Sequence, residues 1–77
     1  MSLKFGDVGP DVAEWQRYLW QRDMDEDRLL EVTGTFDHHT ERATRAFQMN
    51  FGIEPTGTLC AETEYTAILQ GWRRSKS

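Results

Sequence analysis

One short phrase occurs twice in this chain. Thr33-Gly34-Thr35-Phe36 is followed by Thr40-Glu41, and Thr56-Gly57-Thr58-Leu59 is followed by Thr63-Glu64. Each copy sits just ahead of a stretch with helical spacing, so one turn chemistry starts two helices. Glycine permits the tight turn because it lacks a Cβ, and a threonine hydroxyl ties backbone groups in the first turn that follows. The repeat therefore points to a small helical module of loop-helix units.

Punctuation along the chain places three helices. Gly9-Pro10-Asp11 opens the first. Proline at the first helical position gives up an amide that would have no partner there, and Asp11 meets the positive end of the dipole. Val12, Trp15, Gln16 and Leu19 recur at helical spacing and define an inward face over 10–22. The second helix spans 37–51, with Asp37 as its cap, Gly52 as a left-handed stop and Pro55 beyond. Its inward stripe is Thr40, Ala43, Thr44, Phe47 and Phe51, whereas His38, Arg42, Arg45 and Met49 follow another face at three- and four-residue steps. The third helix starts near Cys60, a weak cap, and runs through Tyr65, Ile68 and Leu69 to Gly71. Trp72 and the basic, polar residues after it read as a tail or linker over 72–77. The expectation is an all-α fold, a compact three-helix bundle with two similar loop-helix units, made by 1–77 as one domain.

Composition narrows what such a bundle does. At 38% hydrophobic and 12% aromatic residues, the chain is rich enough to close a core. A domain of this length buries only about 60% of its unfolded surface, which leaves little room for a large cleft. Nine Lys and Arg against thirteen Asp and Glu give a net charge of −4, the wrong sign for nucleic acid, whose binders cluster positive charge. The single Cys60 excludes an internal disulfide, and no run approaches the length of a membrane span. Met1-Ser2-Leu3-Lys4 leads into Gly6-Asp7 without a signal peptide's apolar region, so an export signal is expected elsewhere or export takes another route.

Between the first two helices, Asp23, Asp25, Glu26, Asp27 and Glu31 face only Arg28, which reads as a solvated acidic loop pinned by Leu29, Leu30 and Val32. Asp23-x-Asp25-x-Asp27 resembles the start of a calcium-binding loop. Arg28 then stands where that loop needs glycine, and Gly34 where it needs a bidentate glutamate, so a plain acidic loop is the better reading. His38 and His39 are adjacent and diverge by about 100° on a helix, without the four-residue spacing that holds zinc. Cys60 has no local motif of a nucleophile. No catalytic residue, cofactor or metal is expected.

Gly6-Asp7-x-Gly9-x-x-Val12, Gln16-x-x-Leu19, Thr33-Gly34-x-Phe36-x-x-x-Thr40-x-x-Ala43, Ala46-Phe47-Gln48-x-x-x-Gly52-Ile53 and Gly57-x-Leu59-x-x-x-Thr63 follow one another in that order. The ordered set, over residues 3–69, resembles the peptidoglycan-binding-domain-1-like family, three-helix modules appended to bacterial and phage cell-wall hydrolases. Cys60 departs from the family's good helix cap, Thr44 from its aliphatic residue, and Asp23-Met24-Asp25 from its glycine near the end of the first helix. The first two changes are expected to weaken helix packing slightly.

The resemblance implies a noncatalytic binder of peptidoglycan, outside the cell or in the periplasm, that is monomeric and covalently linked to a catalytic domain, with no role for nucleic acid or membrane. The alternative is a protein-interaction or regulatory module that packs against a catalytic domain through the 23–31 loop and Trp72. Aromatic faces stack on sugar rings, and arginine and amide side chains meet the carboxylates and carbonyls of muramyl peptides. His38, Arg42, Arg45 and Met49 are therefore the first candidate surface, joined by Gln48, Tyr18 and Trp20. Gln16 and Gln48 serve loop backbone groups in the structural reading, Trp15 is core, and Trp20 either closes the core or stacks on ligand.

Overall fold

The structure is a computed structural model describing residues 2–22 and 30–73, with helices α1 (Pro10–Gln21), α2 (His38–Asn50) and α3 (Ala61–Leu69). The fold is all-α. Among the described residues extended pairing is limited to two isolated antiparallel bridges, Leu3 with Leu59 and Val8 with Thr35. The helix ends fall within one or two residues of those expected from Pro10, Asp37, Gly52 and Gly71.

Two glutamines hold the two repeated turns. From α1, Gln16 Oε1 accepts the amides of Thr33 and Gly34, each at 2.9 Å, and its Nε2 donates to the Thr35 carbonyl at 2.8 Å and to Thr40 Oγ1 at 2.9 Å. From α2, Gln48 repeats the pattern one unit later. Its Oε1 accepts the Gly57 amide at 2.9 Å, and its Nε2 donates to the Thr58 carbonyl and to Thr63 Oγ1, each at 3.0 Å. Thr33 and Thr56 close the same small turn, each hydroxyl accepting the amide two residues on at 3.2 Å. Each helix thus positions the turn that starts the next, and glycine is needed there because φ is +85° at Gly34 and +81° at Gly57.

The segment ahead of α1 straps these turns together. Leu3 and Leu59 exchange backbone hydrogen bonds at 3.1 and 2.8 Å, Phe36 donates to the Asp7 carbonyl at 2.8 Å, and Gly9 donates to that of Gly34 at 2.8 Å. Phe36 and Leu59, the fourth residues of the repeated phrases, point into the core with Val12, Leu19, Ala43 and Phe47. Leu30 joins this core and Val32 is exposed. Residues 23–29, which hold most of the acidic loop, its calcium-like spacing and Leu29, lie outside the described residues.

The centre of the core is aromatic. Trp15 meets Phe47 edge-on at 5.5 Å between centroids and Trp72 at 5.1 Å, while Tyr18 stacks on Trp15 at 5.7 Å. The Trp15 indole N–H donates to Thr44 Oγ1 at 2.9 Å, and that hydroxyl donates to the Thr40 carbonyl at 2.7 Å. Threonine in place of an aliphatic residue therefore satisfies a buried indole, which offsets the packing loss expected of it. Trp72 corrects the reading of a tail that starts at that residue. Gly71 turns the chain with φ +105°, the Trp72 amide reaches the Ala67 carbonyl at 2.9 Å, and the ring is 95% buried against α1. On α3 itself the buried positions are Thr63 and Ala67, while Tyr65, Ile68 and Leu69 face outward.

Substitution Gln48→Leu removes both partners of the second turn and leaves the Gly57 amide and Thr58 carbonyl unpaired, at about 1–3 kcal/mol for each buried group. Urea unfolding is expected to show a loss of at least about 2 kcal/mol. Thr44→Val keeps the shape but orphans the indole N–H, and the same measurement is expected to show a loss of about 1–3 kcal/mol.

Candidate functional site

An α-helix that spends one stripe on the core presents the opposite stripe outward, and in α2 that stripe is basic. His38, Arg42, Arg45 and Met49 are all exposed, Met49 to 64%, along one flank of the helix. Asp37 fixes where the stripe begins by accepting the Thr40 amide and hydroxyl at 3.0 Å each. Partial burial alone would raise the Asp37 pKa, but the hydrogen bonds from Thr40 and the His39 charge outweigh it and hold the carboxyl below its ordinary value. At the α2 start, the His38 ring lies 6.4 Å from Phe5 and 5.7 Å from His39. Phe5 is exposed, so it widens the flank with an aromatic face.

The second repeated turn lies against the same helix. A Cβ on Gly57 would fall 2.8 Å from Glu41 Cγ and 2.9 Å from Arg45 Nε, so the glycine also makes room for the α2 side chains. Glu41 approaches Arg45 at 3.8 Å, a half-exposed pair that holds the guanidinium only weakly. Cys60 Sγ stands 3.3 Å from Thr63 Oγ1, where Asp37 meets Thr40 in the other unit. Burial would raise its pKa, yet the Thr63 hydroxyl and the nearby polar amides of the helix start lower it overall. Among the described residues no three His, Cys, Asp or Glu side chains gather as metal donors, and no helix is long and apolar enough to cross a membrane. The arrangement suits contact with a ligand through charge and shape.

A family profile described as putative peptidoglycan binding domain matches residues 8–64. The chain belongs to the putative peptidoglycan-binding domain family. Among solved structures, the SleB N-terminal domain is similar at 28% identity and a TM-score of 0.82, covering 91% of this chain and 92% of that one. Among curated proteins nothing matches.

Within this peptidoglycan-binding domain, the residues singled out from sequence do not form one surface. His38, Arg42, Arg45 and Met49 share the α2 flank, and Trp20 is 53% exposed on a different helix, α1. Tyr18 and Gln48 lie inside. Tyr18 is packed between Trp15, Phe47 and Trp72, with the Arg22 guanidinium over its ring at 5.7 Å. Gln48 is fully buried, and its amide is spent on the turn. Helical spacing alone did not reveal Tyr18 as core because the ring that covers it, Trp72, comes from beyond the last helix. That return also creates a groove of ≈ 300 Å³ between α1 and the 71–73 segment, with Arg17, Gln21 and Arg73 among its walls. Sequence spacing gave Glu14, Arg17 and Gln21 no role; their common stripe with Tyr18 at three- and four-residue steps was the available signal.

Because the Asp37 pKa is depressed in the folded state, its contribution is complete above the unfolded value of 3.8 and is lost as pH falls through the lower folded value. Urea melts across the acid range are expected to show Asp37→Ala less stable by about 1 kcal/mol at neutral pH. The gap to wild type should close as pH drops below the carboxylate range.

Proposed function

We propose that this domain is a noncatalytic module that binds peptidoglycan and targets a covalently attached cell-wall hydrolase, bacterial or from a phage endolysin, to its substrate at the wall. The family match over residues 8–64 carries the ligand class. The exposed α2 flank supports the location, because arginine and histidine side chains there suit the carboxylates and carbonyls of muramyl peptides, and Met49 with Phe5 offers apolar contact. An acidic domain can bind an anionic polymer through such a flank. Charges farther than a Debye length of about 8 Å are largely screened at physiological salt. A shallow site of this kind binds weakly, and its benefit to an attached enzyme is a raised local concentration.

A second reading, that the bundle packs on a neighbouring catalytic domain, draws on the outward Tyr65, Ile68 and Leu69 of α3. Trp72 no longer supports that reading, since it is spent on the core.

The isolated domain is expected to co-sediment with purified sacculi as a monomer. Arg42→Ala with Arg45→Ala should weaken pelleting about tenfold, as expected for about 1.4 kcal/mol of lost contact, while the helical circular-dichroism signal stays unchanged. Unaltered pelleting of the double variant would remove the α2 flank from the proposal. A wild-type domain that stays in the supernatant would remove the function itself.

A further inference from the structure

The groove between α1 and the 71–73 segment is built from a different chemistry than the α2 flank. Its α1 wall is one stripe, Glu14, Arg17, Tyr18 and Gln21, and the other wall is Gly71, Trp72 and Arg73. Tyr18 and Trp72 are buried to 93% and 95%, so they bring ring surface to the groove rather than mobile side chains. Arg17, Gln21 and Arg73 are exposed. Two guanidiniums therefore line the groove against a single carboxylate, that of Glu14, which is partly buried and has interactions of its own.

The Tyr18 hydroxyl is buried beside the Arg22 guanidinium. Burial raises its pKa, and the Arg22 charge and hydrogen bond offset only part of the rise, so the phenol stays protonated at neutral pH and the groove's charge is that of its guanidiniums. Volumes of about 300 Å³ lie at the lower end of the range for small-ligand sites, so the occupant is a fragment of a few heavy atoms.

We propose that this groove is a carboxylate subsite, taking a carboxylate with a small apolar group beside it. Arg17 and Arg73 meet the charge and the Tyr18 and Trp72 rings meet the apolar group. The inference rests on the proposed peptidoglycan function only for the source of the ligand. Two parts of peptidoglycan carry this chemistry, the C-terminal alanine of a peptide stem and the lactyl group of a muramic acid that bears no peptide, since an attached stem converts the lactyl carboxyl to an amide. Guanidinium recognises carboxylate with paired, charge-assisted hydrogen bonds, so charge at that position should dominate the selectivity.

The test is an NMR titration of the ¹⁵N-labelled full chain with N-acetyl-D-alanyl-D-alanine, its C-terminal amide, and N-acetylmuramic acid. The acid is expected to shift the amides of Arg17, Gln21, Gly71 and Arg73 and the Trp72 indole. The neutral amide should bind at least about tenfold more weakly, the equivalent of one lost charged contact. Arg17→Gln with Arg73→Gln should weaken the acid by a similar factor while the rest of the spectrum is retained. Equal response to the dipeptide and to N-acetylmuramic acid supports the shared chemistry, and preference for one assigns its source. Equal binding of acid and amide, or shifts confined to residues outside the groove, overturns the proposal, as does the absence of shifts. If sacculi still pellet the domain in that case, only the groove is lost. If the acid binds here and sacculi do not pellet, the wall-binding function is lost and the groove stands.

Discussion

A primary amide offers an acceptor and donors in one plane, and a tight turn leaves amides and carbonyls on its inner side without partners. Placing a glutamine from the preceding helix inside the turn satisfies both at once. In this domain that arrangement occurs twice, at Gln16 and at Gln48, and nearly everything else is arranged around it. The turns position Phe36 and Leu59 for the core, and Thr40 and Thr63 accept the remaining amide hydrogen bonds. With only about 4–12 kcal/mol of net stability to be expected for a chain of this length, two such clamps are a large share. The polar groups cost little because each has several partners in the same small space.

The two units are alike in wiring and unlike in finish. Asp37 caps α2 through side-chain hydrogen bonds, while Cys60 in the equivalent place offers a sulfur to Thr63 and no side-chain cap to the backbone. α2 is longer, carries the exposed basic flank and lies at the centre of the aromatic cluster through Phe47. α3 is short and buries only Thr63 and Ala67, and it depends on Trp72 folding back to cover what its own apolar residues do not. The same turn starts both helices, but only α2 carries an exposed basic flank.

Much of this was legible in the sequence. Proline at the first position of α1, Asp37 ahead of α2 and Gly52 behind it marked helix ends because their backbone constraints are local. The core stripe of α2 followed from period, and the glutamines' structural role followed from the rule that half-buried amides serve backbone first. What was not legible depends on long-range return. The burial of Trp72, the packing of Tyr18 beneath it, and the groove between them require a chain reversal at Gly71 whose direction no local spacing encodes. Tyr65, Ile68 and Leu69 of α3 are exposed. Their apolar character suggests packing, yet in so short a helix the small face formed by Thr63 and Ala67 is what meets the core.

The strap ahead of α1 has a mechanical meaning. Its bonds to Leu59, Phe36 and Gly34 run across two turns that are far apart in sequence. A pull on residue 2 would load the Leu3–Leu59 bridge first and the Asp7–Phe36 and Gly9–Gly34 bonds only after it, so the strap would peel from its outer end while both glutamine clamps stayed closed. Tension at this end of the domain is therefore met by a few backbone bonds loaded one after another, and the exposed basic flank of α2 takes no part in them.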